Sequence, residues 1–440
     1  MKLKRDLLEH LKKWKNSPKR KPILLKGARQ VGKSWLAKEL GRDFNNFVEI
    51  NFEKASELCS FFEGNIDAHL IAKNIANYFG TQIVPGKTLL FLDEIQVCPR
   101  AILSLRYFCE DFPGLHVIAA GSLLEFELEN LSVPVGRISI IYVYPMSFSE
   151  YLTAIGKNNL RLMLMENLFE PLPEAIHNQL TREIRNYSLL GGMPEVIADF
   201  IEYGKFERCQ DLQTELIETY RSDFHKYAKK HQVKYLNRIF DSIPLQLGDK
   251  FKYSHVSRDI KSRELGDALE LLEMAGLAYK VYHTSSNGIP LKSEIDLMKF
   301  KVLLFDMGLA QRLMKLDHRP LLLNPDISRV NDGAIAELFS GLEFIAYQNY
   351  RERPELYYWH REAKSSNAEV DYVTAIGNKV VPVEVKSGSS GTMKSLRLFM
   401  ESKNSDLAIK ISNFNFSLFE KIQTVPFYGI ESLVKSQSRR

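Results

Sequence analysis

The sequence predicts an α/β fold with a parallel sheet in residues 1–150 and a second α/β unit in residues 316–440. Up to residue 150, short apolar runs of strand length alternate with helical patterns, which is typical of a parallel sheet covered on both faces. Helical periodicity then dominates residues 151–230, and strand patterns return in residues 277–305 and 356–386. We therefore expect two sheet-containing regions separated by helices.

Five apolar runs supply the strands of the predicted parallel sheet. They are residues 22–25, 47–51, 88–94, 115–120 and 138–143. The third run is the strongest buried-strand signal in the chain, because four apolar residues follow one another in it. A helix is predicted directly after the first run, from Lys33 to about Leu40.

A glycine-rich loop joins the first strand to this helix. It matches the pattern GxxxxGK[ST] in full, with Gly27, Ala28, Arg29, Gln30, Val31, Gly32, Lys33 and Ser34. The glycines let backbone N–H groups point at phosphate oxygens, and the helix presents its positive amino end to them. In this pattern Lys33 reaches the β- and γ-phosphates and the Ser34 hydroxyl binds Mg²⁺. The sequence thus predicts binding of ATP with Mg²⁺.

Two carboxylates follow the third apolar run. Asp93 and Glu94 stand at the carboxyl end of that strand, where open α/β sheets bind their ligands. Asp93 is predicted to hold Mg²⁺ through water, and Glu94 to act as the general base that polarises the attacking water. Solvated loop acids are the alternative, and the loop about sixty residues upstream favours the catalytic interpretation.

Five segments occur in the order found in one group of proteins. They are KPILLKGARQVGKS, TLLFLDEIQ, AAGS, VYPMSFSEYL and LLGGMPEV. With them the chain resembles the prokaryotic AAA+ ATPases related to the archaeal ATPase group, over nearly its whole length. The resemblance implies an oligomeric ATPase, and such proteins commonly carry a winged helix and a restriction-endonuclease-like C-terminal domain.

The same resemblance assigns two further positions. Ser122 falls at the sensor-1 position, which contacts the γ-phosphate or the attacking water, although Asn is more usual there in AAA+ proteins. Arg137 is the candidate arginine finger, which would complete the site of a neighbouring subunit and neutralise charge in the transition state. A local salt bridge is the alternative for Arg137.

Residues 235–305 follow a helix–helix–helix–hairpin order that resembles a winged helix. Its third helix, from Arg263 to Ala275, could enter a major groove. Acidic residues within that helix argue against tight groove binding, so a packing or dimerisation module stays an open alternative.

The C-terminal segment carries a D…ExK pattern. Alternation along the strand places Glu384 and Lys386 on one face, and a two-residue turn would bring Asp371 beside them. Asp371 and Glu384 could then share a divalent cation. The pattern resembles the PD-(D/E)xK nuclease fold, in which a helical glutamate such as Glu337 often completes the site.

Four domains are predicted from these patterns, because 440 residues exceed what one hydrophobic core usually organises. They are an AAA+ core in 1–150, a helical lid in 151–232, a winged-helix-like module in 233–315 and a nuclease-like domain in 316–440. The chain has neither a signal peptide nor an apolar run of about 18 residues, so a cytoplasmic protein without a membrane span is predicted.

Three function classes compete. The leading one is a homo-oligomeric ATPase coupled to a DNA-directed, nuclease-like module. The second is a nucleotide-dependent interaction or signalling switch whose nuclease-like domain is silent, and the third is a small-molecule kinase. The basic segment of residues 2–21 could contact phosphates, or it could form an amphipathic helix that packs on the core.

Overall fold

The computed structural model describes residues 3–122, 136–167, 169–316, 332–363, 366–388 and 393–437. None of the helices in these ranges is both long and apolar enough to cross a membrane. Two sheets organise the described chain, one of five strands near the amino end and one of eight strands in the second half.

The first sheet is parallel throughout. Its strands are β1 (Ile23–Lys26), β2 (Asn46–Asn51), β3 (Thr88–Asp93), β4 (His116–Ala120) and β5 (Ser139–Tyr142). They lie in the order β2-β3-β4-β1-β5, with every neighbouring pair parallel. β1, β3 and β4 are buried along their whole length, as their continuous apolar runs predict. The α/β prediction for this region and its parallel sheet are confirmed.

Four helices accompany this sheet. They are α1 (Asp6–Lys15), α2 (Lys33–Gly41), α3 (Ala68–Phe79) and α4 (Pro99–Glu110). On α1 the apolar residues Leu7, Leu11 and Trp14 are buried in the main core. The basic amino-terminal segment is therefore an amphipathic helix that packs on the core.

The next region is helical. It comprises α5 (Phe148–Ala154), α6 (Asn158–Glu166), α7 (Glu174–Leu190), α8 (Pro194–Tyr203) and the long α9 (Phe206–Tyr227). The turn between α7 and α8 is held from outside, because the backbone N–H of Gly192 donates to the buried Asp306 carboxylate at 2.7 Å. Asp306 also caps α13 (Met307–Leu313) by accepting from Leu309 N at 2.9 Å.

The predicted helix–helix–helix–hairpin order is present. The helices are α10 (Val233–Ser242), α11 (Tyr253–Val256) and α12 (Ser262–Met274), followed by strands β6 (Ala278–Thr284) and β7 (Ile295–Leu304). The hairpin is not a free wing, because β6 also pairs in parallel with β8 (Leu356–Ala363).

The second sheet crosses the domain boundary predicted at residue 315. Its order is β12-β13-β11-β10-β9-β8-β6-β7, so the hairpin of the preceding module forms one end of it. The sequence does not show this, because strand pairing between distant segments leaves no local periodicity. One sheet thus joins the two predicted units.

The C-terminal elements run helix, three strands, helix, strand. They are α14 (Asp332–Tyr347), β8, β9 (Ser366–Ile376), β10 (Lys379–Lys386), α15 (Lys394–Lys403) and β11 (Ala408–Ser412), followed by β12 (Ser417–Phe419), β13 (Ile422–Pro426) and α16 (Ile430–Gln437). β8, β9 and β10 pair antiparallel, and β10 pairs in parallel with β11. The predicted two-residue turn joins β9 to β10, since Ile376 pairs with Lys379.

Candidate functional site

The glycine-rich loop lies between the carboxyl end of β1 and the amino end of α2. Gly27 has φ 149°, and a Cβ at this position would lie 2.1 Å from the carbonyl oxygen of Val143. Gly32, directly before α2, has φ 98°. Side chains are strongly disfavoured at such φ values, so the loop conformation itself requires both glycines of the motif.

The Lys33 ammonium lies inside the loop. It donates to the carbonyl oxygens of Gly27 at 2.9 Å and Ala28 at 2.7 Å, and the residue is 8% exposed. Burial lowers the pKa of Lys33 to about 8, an effect that the carboxylates of Glu94 and Asp93 oppose. A phosphate bound in the loop would supply the negative charge that stabilises this ammonium.

Ser34 and Asp93 meet at the carboxyl edge of the sheet. The Ser34 hydroxyl donates to Asp93 Oδ2 at 2.9 Å, and Asn51 Nδ2 approaches the same oxygen at 3.3 Å. The hydroxyl and carboxylate oxygens are hard ligands of the kind Mg²⁺ prefers. Two residues 59 positions apart in sequence thus form a donor set that fits a magnesium ion beside bound phosphates.

Glu94 turns away from the strand. Its φ is 50°, and its backbone N–H donates to Asp93 Oδ1 at 3.1 Å. Gln96 Nε2 donates to Glu94 Oε2 at 2.7 Å, which fixes the orientation of the carboxylate. A left-handed conformation at a non-glycine residue is strained, and such strain clusters at functional sites.

Ser122 lies near the loop. It shares with Gly27 and Gly121 the wall of a cavity of about 450 Å³, whose other side includes Tyr279 and Lys280 of β6. The predicted sensor-1 residue is therefore placed where it can face a nucleotide bound in the loop. Residues 123–135, which follow it, lie outside the described ranges.

Arg137 lies at the opposite edge of the sheet. It precedes β5, whose first residue Ser139 pairs with Ile23 at the amino end of β1. Arg137 Nε forms a salt bridge with Glu110 Oε1 at 2.5 Å, and its side chain is 52% exposed. The local salt bridge considered from the sequence is thus present, and this edge is remote from the loop of the same chain.

Three residues that the sequence analysis did not identify, Arg5, Tyr220 and Asp223, form hydrogen bonds with the glycine-rich loop. Arg29 makes two bonds to the Asp223 carboxylate on α9, at 2.7 and 2.9 Å, and Tyr220 donates to the Arg29 carbonyl at 2.7 Å. Arg5, which precedes α1, donates to the Val31 carbonyl at 2.7 Å. The sequence offers no local signal for Arg5 or Asp223, whose partners lie far along the chain. Asn51 could have been found, because β2 ends at the same edge as β3.

The C-terminal acidic residues form a second candidate site. Lys386 Nζ pairs with Glu384 Oε1 at 2.6 Å, as strand alternation predicts. Asp371, on the neighbouring strand, accepts from Val385 N at 2.7 Å. Burial raises the pKa of Glu384 to about 7, and the Asp371 carboxylate acts in the same direction. Glu384 Oε2 is buried, and no residue in the described ranges forms a hydrogen bond with it.

Glu337 is paired with a lysine that the D…ExK pattern does not include. Its Oε1 pairs with Lys301 of β7 at 2.8 Å, and Lys301 also pairs with Glu369 Oε1 at 2.6 Å. Burial and the nearby Asp371 carboxylate both raise the pKa of Glu337. Within the described ranges, no three His, Cys, Asp or Glu side chains are arranged to hold a metal ion. The metal shared by Asp371 and Glu384 stays a prediction.

Three stretches of the chain match protein-family models. Residues 19–152 match an AAA domain. Residues 181–319 match a domain of unknown function, DUF8612, and residues 332–428 match another, DUF4143. No curated protein matches the chain. The first stretch is thus similar to AAA domains, as the resemblance implied, whereas the winged-helix and nuclease-like assignments stay predictions.

Several solved structures are similar at low sequence identity. A Walker-type ATPase of Pyrococcus abyssi is 16% identical with a TM-score of 0.44, over 70% of this chain and 95% of that chain. The Orc1 protein of Aeropyrum pernix, solved with DNA, is 13% identical with a TM-score of 0.28, over 72% and 92%. Thermotoga maritima RuvB is 15% identical with a TM-score of 0.30, over 63% and 89%.

Proposed function

We propose that the chain is an AAA+ ATPase that hydrolyses ATP with Mg²⁺. The observation that carries the proposal is the 2.9 Å bond between Ser34 and Asp93, which joins the glycine-rich loop to the acidic end of β3. Lys33 would bind the β- and γ-phosphates, and Ser34 and Asp93 would hold Mg²⁺. The magnesium ion supplies charge neutralisation between the phosphates when it is bound.

Glu94 is the proposed general base. Gln96 orients its carboxylate, and the position after Asp93 places it at the edge where the γ-phosphate would lie. Ser122 would contact the γ-phosphate or the attacking water from the end of β4. Arg137 would act in trans within a homo-oligomer, because its edge of the sheet lies away from the loop of its own chain.

We further propose that nucleotide state is transmitted to the C-terminal domain. Direct hydrogen bonds join the two parts. Tyr142 N of β5 donates to the Tyr350 carbonyl at 2.8 Å, and Phe148 N donates to the buried Glu343 carboxylate of α14 at 3.0 Å. The AAA domain therefore contacts the nuclease-like region without an intervening linker.

DNA is the proposed partner of the second half. Three exposed cations cluster at the start of α12, namely Arg258, Lys261 and Arg263. The helix–strand order of the C-terminal region supports a nuclease-like fold. Metal-dependent cleavage forms no part of the proposal, because within the described ranges no three acidic side chains are arranged to hold a metal. Replacing the three cations with alanine should weaken DNA binding and reduce its salt dependence. The matched control replaces Lys379 on β10, Lys403 at the end of α15 and Lys421 before β13, which together carry the same charge.

The experiment that tests the ATP site compares nucleotide binding with and without Mg²⁺. Ser34→Ala should lose the gain in ATP affinity that Mg²⁺ confers, yet bind metal-free ATP like the wild type. Lys33→Ala should lose binding in both conditions, because the phosphates lose the cation of the loop. Equal Mg²⁺ dependence in wild type and Ser34→Ala, measured by calorimetry, would refute the assigned magnesium site.

A further inference from the structure

Lys301 lies inside the acidic centre of the C-terminal domain, although it belongs to the hairpin of the preceding module. It is located on β7, and its side chain is 1% exposed. Its ammonium contacts Glu337 Oε1 at 2.8 Å and Glu369 Oε1 at 2.6 Å, and lies 5.3 Å from the centre of the Tyr358 ring. A buried ammonium is costly unless it is paired, and here two carboxylates and an aromatic ring surround it.

The centre is divided into two halves. In the inner half Lys301 neutralises Glu337 and Glu369, while in the outer half Lys386 pairs with Glu384. With Asp371 included, the centre contains four carboxylates and two lysines. Glu384 Oε2 is buried and has no hydrogen-bond partner among the described residues, so the centre as described has more acceptor oxygens than its two lysines satisfy.

We propose that the Lys301 ammonium is the resident cation of this centre and excludes a divalent cation from Glu337 and Glu369. The inference rests on the C-terminal part of the proposed function and is independent of ATP hydrolysis. Of the two ammonium–oxygen distances, 2.6 Å is at the upper end of the 2.3–2.6 Å range of Ca²⁺–oxygen bonds and 2.8 Å is slightly longer. Removing the ammonium would free two hard oxygen ligands that already face one position, and the Asp371 carboxylate is near enough to act on the Lys301 ammonium.

The geometry also gives the ion a route. Glu369 is 32% exposed, whereas Glu337 is 9% exposed, so the centre opens to solvent on the Glu369 side. A cation can therefore reach the position of the ammonium without unfolding the domain. The wild type is expected to bind no Ca²⁺ at this centre, because the Lys301 ammonium and its charge occupy the position.

The test is Lys301→Met, which keeps an unbranched apolar side chain and removes the charge. Ca²⁺ titration of the full chain by calorimetry should show one additional site, with affinity at least tenfold tighter than any Asp371-dependent binding in the wild type. Ca²⁺ should also raise the Tm of Lys301→Met but not that of the wild type. Lys301→Met combined with Asp371→Asn should lose the new site.

The matched control is Lys280→Met. Lys280 is located on the neighbouring strand β6 and pairs with Glu273 at 2.6 Å, with exposures of 16% and 13%. Its side chain is on the other face of β6 from Val281, the residue that pairs with Lys301. This variant should gain no Ca²⁺ site. Any Ca²⁺ bound at the glycine-rich loop is common to all variants and cancels in the comparison.

Three results would overturn the proposal. The first is an Asp371-dependent Ca²⁺ site in the wild type that binds as tightly as the site in Lys301→Met. The second is folded Lys301→Met that binds no additional Ca²⁺. The third is Lys280→Met that gains the same Ca²⁺ site as Lys301→Met. If Lys301→Met does not fold without Ca²⁺, we expect Ca²⁺ to restore its folding but not that of Lys301→Met combined with Asp371→Asn. Failure of Lys301→Met to fold in Ca²⁺ would also overturn the proposal. ATP turnover, measured in parallel, reports on the ATPase proposal separately.

Discussion

Arg5 is expected to couple the stability of the ATPase core to its affinity for ATP. The residue is 7% exposed, and its guanidinium makes three bonds. They run to the Val31 carbonyl at 2.7 Å, the Tyr144 carbonyl at 2.7 Å and the Glu150 carboxylate at 3.1 Å. The perturbation is Arg5→Met, which keeps part of the apolar stem and removes the charge and all donors.

The magnitude follows from what the substitution leaves behind. Glu150 would be a buried carboxylate without its cation, and losing one partner of a buried pair costs about 3–5 kcal/mol. Glu150 still accepts from Asp6 N and Ser147 N, so the lower end is expected. The Val31 carbonyl loses a charge-assisted bond of about 1.5 kcal/mol, which corresponds to roughly a tenfold higher Kd for ATP if the loop must be held for binding.

Urea unfolding followed by tryptophan fluorescence measures the first effect. Two of the three tryptophans, Trp14 on α1 and Trp35 on α2, lie in or against the main core and report on this region, whereas Trp359 reports on the second sheet. Lys12→Met is the control on the same helix, because Lys12 is 42% exposed and its ion pair with Glu9 contributes about 0.2–0.5 kcal/mol. A free energy of unfolding for Arg5→Met within about 1 kcal/mol of wild type, with unchanged ATP affinity, would refute the reasoning.

Three further outcomes are expected. ATP affinity should fall as the pH rises through about 8, by up to about tenfold per pH unit above that value, because deprotonated Lys33 no longer pairs with phosphate. Calorimetry at pH 7 and pH 9 measures this fall. A Lys33→Arg variant that still binds nucleotide should not show it, because arginine stays charged at both pH values. Mixing Arg137→Ala with Glu94→Gln subunits should restore some ATPase activity, because some interfaces then pair an intact Glu94 with an intact Arg137. A monomeric protein whose specific rate does not depend on concentration would show that Arg137 serves only its salt bridge with Glu110. Asp306→Ala should lower the free energy of unfolding, measured in urea, by about 2–4 kcal/mol, because the cap of α13 and the hydrogen-bond acceptor of Gly192 N are both lost. A loss of under about 1 kcal/mol would contradict this account of Asp306.

Much of the first sheet could be predicted because three of its strands, β1, β3 and β4, are buried on both faces and are encoded by continuous apolar runs. The glycine-rich loop from Gly27 to Ser34 could also be predicted from local sequence, because the residues that bind phosphate follow one another in it. The same holds for the two acids at the end of β3, which are adjacent in the sequence. The edge on which Ser34 meets Asp93 follows from parallel strands ending together, and the same argument would have found Asn51.

The contacts that could not be predicted join distant segments. Arg5 reaches Glu150 across 145 positions, and Arg29 reaches Asp223 across 194. Lys301 was missed for a similar reason, since nothing in its own strand indicates that β6 pairs with β8 and brings β7 beside the acids. The D…ExK pattern gave the correct strand faces for Glu384 and Lys386, but the pattern contains no information about a lysine supplied by another module.

The central claim is that Glu94 activates water at a site formed by Ser34, Asp93 and the glycine-rich loop. The most direct measurement compares ATP binding and single-turnover hydrolysis by wild type and Glu94→Gln at saturating Mg²⁺ and ATP. The account predicts equal occupancy and a hydrolysis rate about 10²–10⁴-fold lower in the variant, because an amide cannot accept the proton of water. Normal turnover by Glu94→Gln at equal occupancy would contradict it.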